Sequence, residues 1–188
     1  MRCAAIAQAH MISEPLLHRM KILVVDDDRM TVTLLEQLLQ RNGYCRVLGI
    51  TDSRNALDAC TNFGPDLILL DLIMPELDGF TLLDAFRSDA PETFLPIVVL
   101  TADITEEART RALKAGATDF LVKPVSQTEA LLRIRNLLET RRLHLVLENQ
   151  RAALEEAVRE RTAELRGTIA ELQAVNQRLQ TSSAFSGA

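Results

Sequence analysis

The segment 66-DLILLD-71 contains four consecutive aliphatic residues bounded by two aspartates. A run this short, with apolar residues on both of its faces, is typical of a parallel strand that helices cover on both sides. Four similar runs occur elsewhere in the chain: 21-KILVVD-26, 46-RVLGIT-51, 96-PIVVLT-101 and 118-TDFLVK-123. We therefore predict five strands.

The segments between and after these runs have the residue spacing of amphipathic helices. Three glycines, Gly43, Gly64 and Gly116, stand where helices are expected to end. An alternation of five strands with five helices predicts an α/β fold with a doubly wound, five-stranded parallel sheet, flavodoxin-like and of (βα)5 type. The ligand site of such a sheet lies at the carboxyl ends of its strands. The predicted helices cover residues 30–42, 53–63, 79–89, 104–116 and 126–140, and in the first of them Leu34, Leu35, Leu38 and Leu39 make one apolar stripe.

The bulk properties of the chain exclude several classes of partner. Its 188 residues carry 21 basic and 26 acidic side chains, a net charge of −5, which gives no electrostatic basis for direct nucleic-acid binding. No apolar run reaches the roughly 18 residues of a membrane helix, so we expect no membrane association. The three cysteines have no paired spacing, which favours reduced thiols and a cytoplasmic location.

Charged and polar residues follow the predicted strands at one rim of the sheet. Asp26 and Asp27 follow the first strand, Asp71 the third, Thr101 the fourth and Lys123 the fifth. Carboxylates brought together repel one another, and a hard divalent cation such as Mg²⁺ relieves that repulsion with oxygen ligands. A phosphoryl group on one carboxylate would need both the metal and the Lys123 ammonium to stabilise its charge.

The motifs at these positions closely resemble those of the receiver domain of two-component response regulators, the CheY-like domain. They read 24-VVDDD-28, 69-LLDLIMPELDGF-80, 98-VVLTA-102 and 120-FLVKP-124, and the resemblance extends over residues 20–140. It implies a phosphorelay protein that accepts a phosphoryl group from the phosphohistidine of a histidine kinase or phosphotransfer protein. It implies no enzymatic activity beyond this self-catalysed transfer and the loss of the phosphoryl group.

The resemblance also implies a role for each site residue. Asp71 is then the phosphoacceptor, Lys123 pairs with phosphoryl oxygens, and Thr101 moves to bond one of them. Phe120 occupies the place of an aromatic switch residue, and Pro124 is expected to follow a cis peptide bond. Mg²⁺ is expected to bind Asp26, Asp27, Asp71 and the backbone carbonyl of Ile73.

Other roles for the same residues stay open at the level of sequence. Asp26 and Asp27 could cap the first helix, although Asp28 remains for that role. Thr101 could cap the helix near residue 104 as well as bond a phosphoryl group, and Phe120 could be a core residue. A haloacid-dehalogenase-like phosphatase also uses an aspartate nucleophile, but it has a second aspartate two residues later, where this chain has Ile73.

The chain after residue 140 has the composition of a coiled coil, with no proline or glycine between Pro124 and Gly167. A heptad repeat can be assigned in which eight of thirteen seam positions are apolar, and it predicts a parallel homodimer. A solvated helix without a partner is the alternative. The a positions are Leu137, His144, Arg151, Val158, Leu165, Leu172 and Leu179, and the d positions are Thr140, Leu147, Leu154, Arg161, Thr168 and Val175.

These patterns divide the chain into four parts. We expect a disordered leader over residues 1–19, a receiver domain over 20–140, a coiled-coil helix over 141–180 and a disordered tail over 181–188. Two functional hypotheses remain. The chain is either a regulator that signals through its own dimer or a docked partner, or the sensory front of a longer regulator whose output, a cyclic-di-GMP enzyme or a kinase, is missing.

Overall fold

The computed structural model describes residues 16–89, 94–102 and 105–185, and it contains one five-stranded parallel sheet. The strand order is β2-β1-β3-β4-β5, so the first and third strands are hydrogen-bonded neighbours. The predicted doubly wound α/β fold is confirmed. The strands are β1 (Lys21–Val25), β2 (Arg46–Ile50), β3 (Leu67–Asp71), β4 (Ile97–Thr101) and β5 (Asp119–Val122).

Helices follow each strand. They are α1 (Arg29–Arg41), α2 (Ala56–Phe63), α3 (Gly79–Asp89), α4 (Glu106–Lys114) and α5 (Gln127–Phe185), and a short 3₁₀ turn (Ser53–Asn55) precedes α2. Three glycines adopt positive φ angles, which side chains disfavour: Gly43 at 92°, Gly64 at 61° and Gly116 at 100°. Each stands at or just after the end of a helix, as the sequence predicted.

The centre of the sheet forms the core of the domain. Every residue of β3 and β4 is buried, because these strands have neighbours on both edges and side chains packed on both faces. The edge strand β2 is only partly buried. This difference matches the composition of the strands, since the runs that end in Asp71 and Thr101 have aliphatic residues at every interior position.

Helix α1 buries only part of its apolar stripe. Val32, Leu35 and Leu39 are buried, whereas Leu34 is 60% exposed. Adjacent helical residues point about 100° apart, so Leu35 faces the sheet while Leu34 lies at the exposed edge of the apolar stripe. Asp28 caps this helix, and its carboxylate accepts hydrogen bonds from the backbone N–H of Met30 and Thr31.

The packed fold begins before Met20, the expected start of the receiver domain. Leu17 is only 2% exposed, and the backbone N–H of Cys45 donates to the carbonyl of His18 at 3.1 Å. Residues 16–19 therefore belong to the folded domain and not to a leader. The rest of the expected leader, residues 1–15, lies outside the described residues.

Helix α5 is shared by the two compact units into which the chain divides after His144. In the first unit it buries Ala130, Ile134 and Leu138 at a spacing of four residues. His144, a predicted seam residue, stacks on Phe94 with 4.5 Å between ring centroids.

In the second unit the helix continues to Phe185, five residues beyond the expected boundary at 180. Residues 186–188 of the expected tail lie outside the described residues. Among the helices described, none is long and apolar enough to cross a membrane.

Candidate functional site

Three aspartates meet at the carboxyl ends of β1 and β3. Asp26 follows β1 directly and is fully buried, Asp71 ends β3 and is 4% exposed, and Asp27 is exposed. One carboxylate oxygen from each lies within 4.8 Å of the others. The cluster forms because β1 and β3 pair in parallel, which aligns their carboxyl ends at one rim.

Lys123 joins this cluster from the far side of the sheet. It follows β5, which is separated from β3 by β4, and its long side chain reaches back across the rim. Its Nζ lies 2.8 Å from Oδ2 of Asp26 and 2.8 Å from Oδ2 of Asp71. One ammonium group therefore pairs with two buried carboxylates, so their negative charges are only partly balanced.

Burial and charge act in opposite directions on these groups. Burial raises the pKa of Asp26, although its contacts with Lys123 and the backbone N–H of Asp28 partly oppose that shift. Burial alone would lower the pKa of Lys123, but hydrogen bonds and charge attraction from Asp26 and Asp71 outweigh it and raise that pKa. Lys123 consequently keeps its positive charge at neutral pH.

The loop after β3 holds Asp71 in position. The backbone N–H of Ile73 donates to Oδ1 of Asp71 at 3.3 Å, and the Ile73 side chain is 68% exposed. Gly79 packs tightly against this loop, since a Cβ there would lie 2.2 Å from the carbonyl oxygen of Asp71 and 2.6 Å from Cα of Leu72. The loop thus needs a glycine for its close backbone approach.

The predicted switch residues lie on neighbouring strands. Thr101 ends β4 and is 5% exposed, and it pairs in register with Val122 of β5. The backbone N–H of Lys123 donates to the carbonyl of Thr101 at 2.8 Å, which links the ends of these two strands. The peptide bond between Lys123 and Pro124 is cis.

Phe120 is half-buried and packs against the core. The guanidinium carbons of Arg109 and Arg133 lie 4.2 Å and 5.7 Å from its ring centroid, within the range of cation–π contacts. Arg133 also forms a 2.6 Å ion pair with Asp119. No pattern in the sequence points to these two arginines, because they approach Phe120 from different helices and no local motif connects them.

The donor set fits Mg²⁺. All three side chains of the cluster are carboxylates, the hard oxygen ligands that Mg²⁺ prefers, and Asp27 is exposed where a metal could keep some of its water ligands. Lys123 balances only one of the charges of the buried pair. The residues brought together are therefore those that the sequence predicted, with Asp26 and Asp71 inside the fold and Asp27 at its surface.

Residues 22–135 match the family model described as the response regulator receiver domain. The chain is 44% identical over 118 residues to the response regulator MprA of Mycolicibacterium vanbaalenii. The aligned residues make up 63% of this chain and 50% of MprA. The chain is 39% identical over 118 residues to the alkaline phosphatase synthesis transcriptional regulatory protein PhoP of Bacillus subtilis, covering 63% of this chain and 48% of that one.

Solved structures give the same result. The receiver domain of the Francisella response regulator 1452 matches with a TM-score of 0.60 and 30% identity, covering 65% of this chain and 98% of that one. NtrX from Brucella abortus matches with a TM-score of 0.63 and 31% identity, covering 70% of this chain and 29% of that one.

The chain belongs to the response regulator receiver domain family. Its matching part has the receiver fold and acts in phosphorelay signalling, as the motifs predicted. The chain spans about half the length of MprA and of PhoP.

Proposed function

We propose that Asp71 is the phosphoacceptor and that Lys123 stabilises the phosphoryl group after transfer. The observation that carries this proposal is the contact of one lysine Nζ, at 2.8 Å, with the carboxylates of both Asp26 and Asp71. A phosphoryl group on Asp71 would bring its negative charge to a position where a cation is already in place.

The proposed transfer needs only a positioned nucleophile and charge stabilisation. A carboxylate oxygen of Asp71 attacks the phosphorus of a phosphohistidine, a new P–O bond forms and the P–N bond breaks. The electron pair of the broken bond stays on the imidazole nitrogen, which takes up a proton. The backbone N–H of Ile73 orients the nucleophile through its hydrogen bond to Oδ1 of Asp71.

Asp26, Asp27 and Asp71, with the carbonyl of Ile73, would hold Mg²⁺. When bound, the ion neutralises carboxylate charge and polarises phosphoryl oxygens. Loss of the phosphoryl group to water would occur at the same site. The chain carries out both reactions on itself, and we propose no further enzymatic activity for it.

We also propose that this receiver domain signals through the C-terminal helix. The phosphodonor would be a histidine kinase or a phosphotransfer protein in the cytoplasm. Thr101 and Phe120 would change position when the site is phosphorylated, since Thr101 lies on β4 between the strands that carry Asp71 and Lys123. The output is a change in a parallel homodimer that forms through the C-terminal helix.

The test is phosphorylation by acetyl phosphate in the presence and absence of Mg²⁺, followed by intact-mass spectrometry. The native chain should gain one phosphoryl group only with Mg²⁺, and Asp71→Asn should gain none. Asp78→Asn is the matched control, because Asp78 is an exposed aspartate of the same loop. Equal labelling of Asp71→Asn and the native chain would show that another residue is the acceptor.

A further inference from the structure

Phe120 lies on the edge strand β5, on the same face of the sheet as Thr101. In the parallel pair of β4 and β5, Phe120 is in register with Val99, which lies two residues before Thr101. Side chains alternate between the two faces along each strand, and partners in register point to the same face. The two proposed switch side chains are therefore close neighbours on one face of adjacent strands.

Two arginines from different helices lie against the Phe120 ring. Arg109, from α4, has its guanidinium carbon 4.2 Å from the ring centroid, and the guanidinium carbon of Arg133, from α5, lies at 5.7 Å. A cation within about 6 Å of the centroid is attracted by the negative face of an aromatic ring. The ring also packs against the core, so it joins the core to the helices that precede and follow β5 in the chain.

Arg133 is held beside the ring by two carboxylates. Its Nη1 donates to both carboxylate oxygens of Asp119 at 2.6 Å, and its Nη2 lies 2.8 Å from Oε1 of Glu129. Oδ1 of Asp119 also accepts a hydrogen bond from the backbone N–H of Phe120 at 2.9 Å. The Asp119 carboxylate therefore connects the backbone of Phe120 to the arginine that lies beside its ring.

Helix α4, which carries Arg109, buries very little apolar surface. Of its nine residues, all within the described part of the chain, Ala112 alone is buried. Elements with few buried apolar contacts move at a low cost in free energy. The arginine contacts of this helix are thus a large part of what holds it, and they are those of Arg109 with Phe120 and of Arg111 with Phe80, the latter at 4.0 Å.

We propose that Arg109 and Arg133 are positioning residues that hold Phe120 in its resting place and so lower the share of unphosphorylated chain in the switched conformation. The ring cannot leave this place without losing a favourable contact with each guanidinium group. A contact made only in the resting conformation opposes phosphorylation by as much as it stabilises that conformation. This inference rests on the proposed switch role of Phe120 and adds the residues that set its equilibrium.

Binding of beryllofluoride, a tetrahedral and negatively charged mimic of a phosphoryl group, tests these roles in the full chain. The chain is labelled with 4-fluorophenylalanine at its six phenylalanines, and the fluorine NMR signal of Phe120 is identified by its loss in Phe120→Leu. The probe is titrated in the presence of Mg²⁺, and its half-saturating concentration is read from the Phe120 signal. In the native chain this signal should move to a second position as the probe binds.

The two arginine variants should bind the probe more tightly than the native chain. Arg109→Gln and Arg133→Gln should each lower the half-saturating concentration by about 2- to 5-fold, the factor that corresponds to one exposed cation–π contact. The concentration falls because a larger share of the free chain is already in the binding conformation. Arg111→Gln is the matched control, since it removes the same kind of contact from the same helix but spares Phe120, and it should stay within about 1.5-fold.

A double-mutant cycle shows whether Arg109 acts through the ring. The dissociation constant of beryllofluoride is measured by calorimetry, which does not need the fluorine signal of Phe120. In a Phe120→Leu background, Arg109→Gln should change this constant by less than about 1.5-fold, because the ring that the arginine holds is gone. An effect of the full 2- to 5-fold without the ring would show that Arg109 acts by another route and would overturn the inference.

The outcomes separate this inference from the switch proposal. If calorimetry shows saturation of the native chain while its Phe120 signal stays in place, Phe120 is not a switch residue and both proposals fail. If the signal moves but both arginine variants bind at the native concentration, the switch proposal stands and the positioning role fails. Equal effects of Arg109→Gln and Arg111→Gln would mean that any loosening of α4 suffices, which also overturns the inference.

Discussion

Replacing Lys123 with methionine removes one ammonium group from the proposed phosphoacceptor site and keeps a side chain of similar length. The substitution leaves Asp26 and Asp71 without the cation that lies 2.8 Å from each of them. Both carboxylates are almost completely buried, with exposures of 0% and 4%, so water cannot take over the role of the lysine. The apo protein should therefore lose stability.

The size of the loss follows from burial. Removing one partner from a buried ion pair costs about 3–5 kcal/mol, because an uncompensated charge stays inside the protein. The Lys123 side chain is 25% exposed, so part of its charge is already screened by solvent and the expected cost falls to about 2–3 kcal/mol. This is smaller than the usual folding free energy of about 5–15 kcal/mol, and the variant should still fold.

Urea unfolding at neutral pH measures this loss, first with a chelator and then with millimolar Mg²⁺. The midpoint of Lys123→Met should fall by about 0.7–3 M in the chelator, given a typical urea slope of 1–3 kcal/mol per molar. Mg²⁺ should raise the midpoint of the variant more than that of the native chain, because it replaces the lost positive charge. Lys114→Met, at an exposed position of α4, is the control.

Two results would refute this reasoning. If Lys123→Met unfolds at the same urea concentration as the native chain in the chelator, the lysine does not balance the buried carboxylates. If Mg²⁺ stabilises both proteins equally, the metal does not bind at the site that Lys123 occupies.

Three further predictions concern the rest of the domain. Gly79→Ala should destabilise the protein by about 1–3 kcal/mol in urea unfolding and reduce its labelling by acetyl phosphate, because the added Cβ would lie 2.2 and 2.6 Å from backbone atoms of the loop after β3. Native stability and full labelling of this variant would show that the loop can shift freely. Ile73→Asn should speed loss of the phosphoryl group, since an amide beside Asp71 can orient an attacking water, and a phosphoprotein lifetime that is unchanged or longer contradicts this. Asp28→Ala should lower the urea midpoint at neutral pH by removing the α1 cap. In the native chain, hydrogen bonds from the Thr31 side chain and the backbone N–H of Met30 lower the pKa of the Asp28 carboxylate. The difference in urea midpoint between the variant and the native chain should therefore be present above pH 3.8 and shrink as the pH falls through the pKa of the folded state. A midpoint difference that does not change with pH would mean that the effect does not come from the carboxylate.

The composition of the proposed phosphoacceptor site could be predicted from the sequence because of a general property of parallel sheets. Strands joined by helices all end at the same rim, so the residues that follow them are brought together whatever the details of packing. Asp26, Asp71, Thr101 and Lys123 were predicted in this way from their positions after apolar runs. The boundaries of the strands followed from the same runs to within one residue.

The sequence by itself therefore determined the fold class, the set of residues at the rim and the presence of a long helix. The tertiary structure alone decided which of two adjacent aspartates is buried, that Lys123 pairs with two carboxylates at once, and that Arg109 and Arg133 flank Phe120. It also decided that Leu35 and not Leu34 faces the sheet, and that Leu17 covers the core. These features depend on contacts between residues far apart in the chain, and local patterns of polarity carry no information about which distant side chain will meet which.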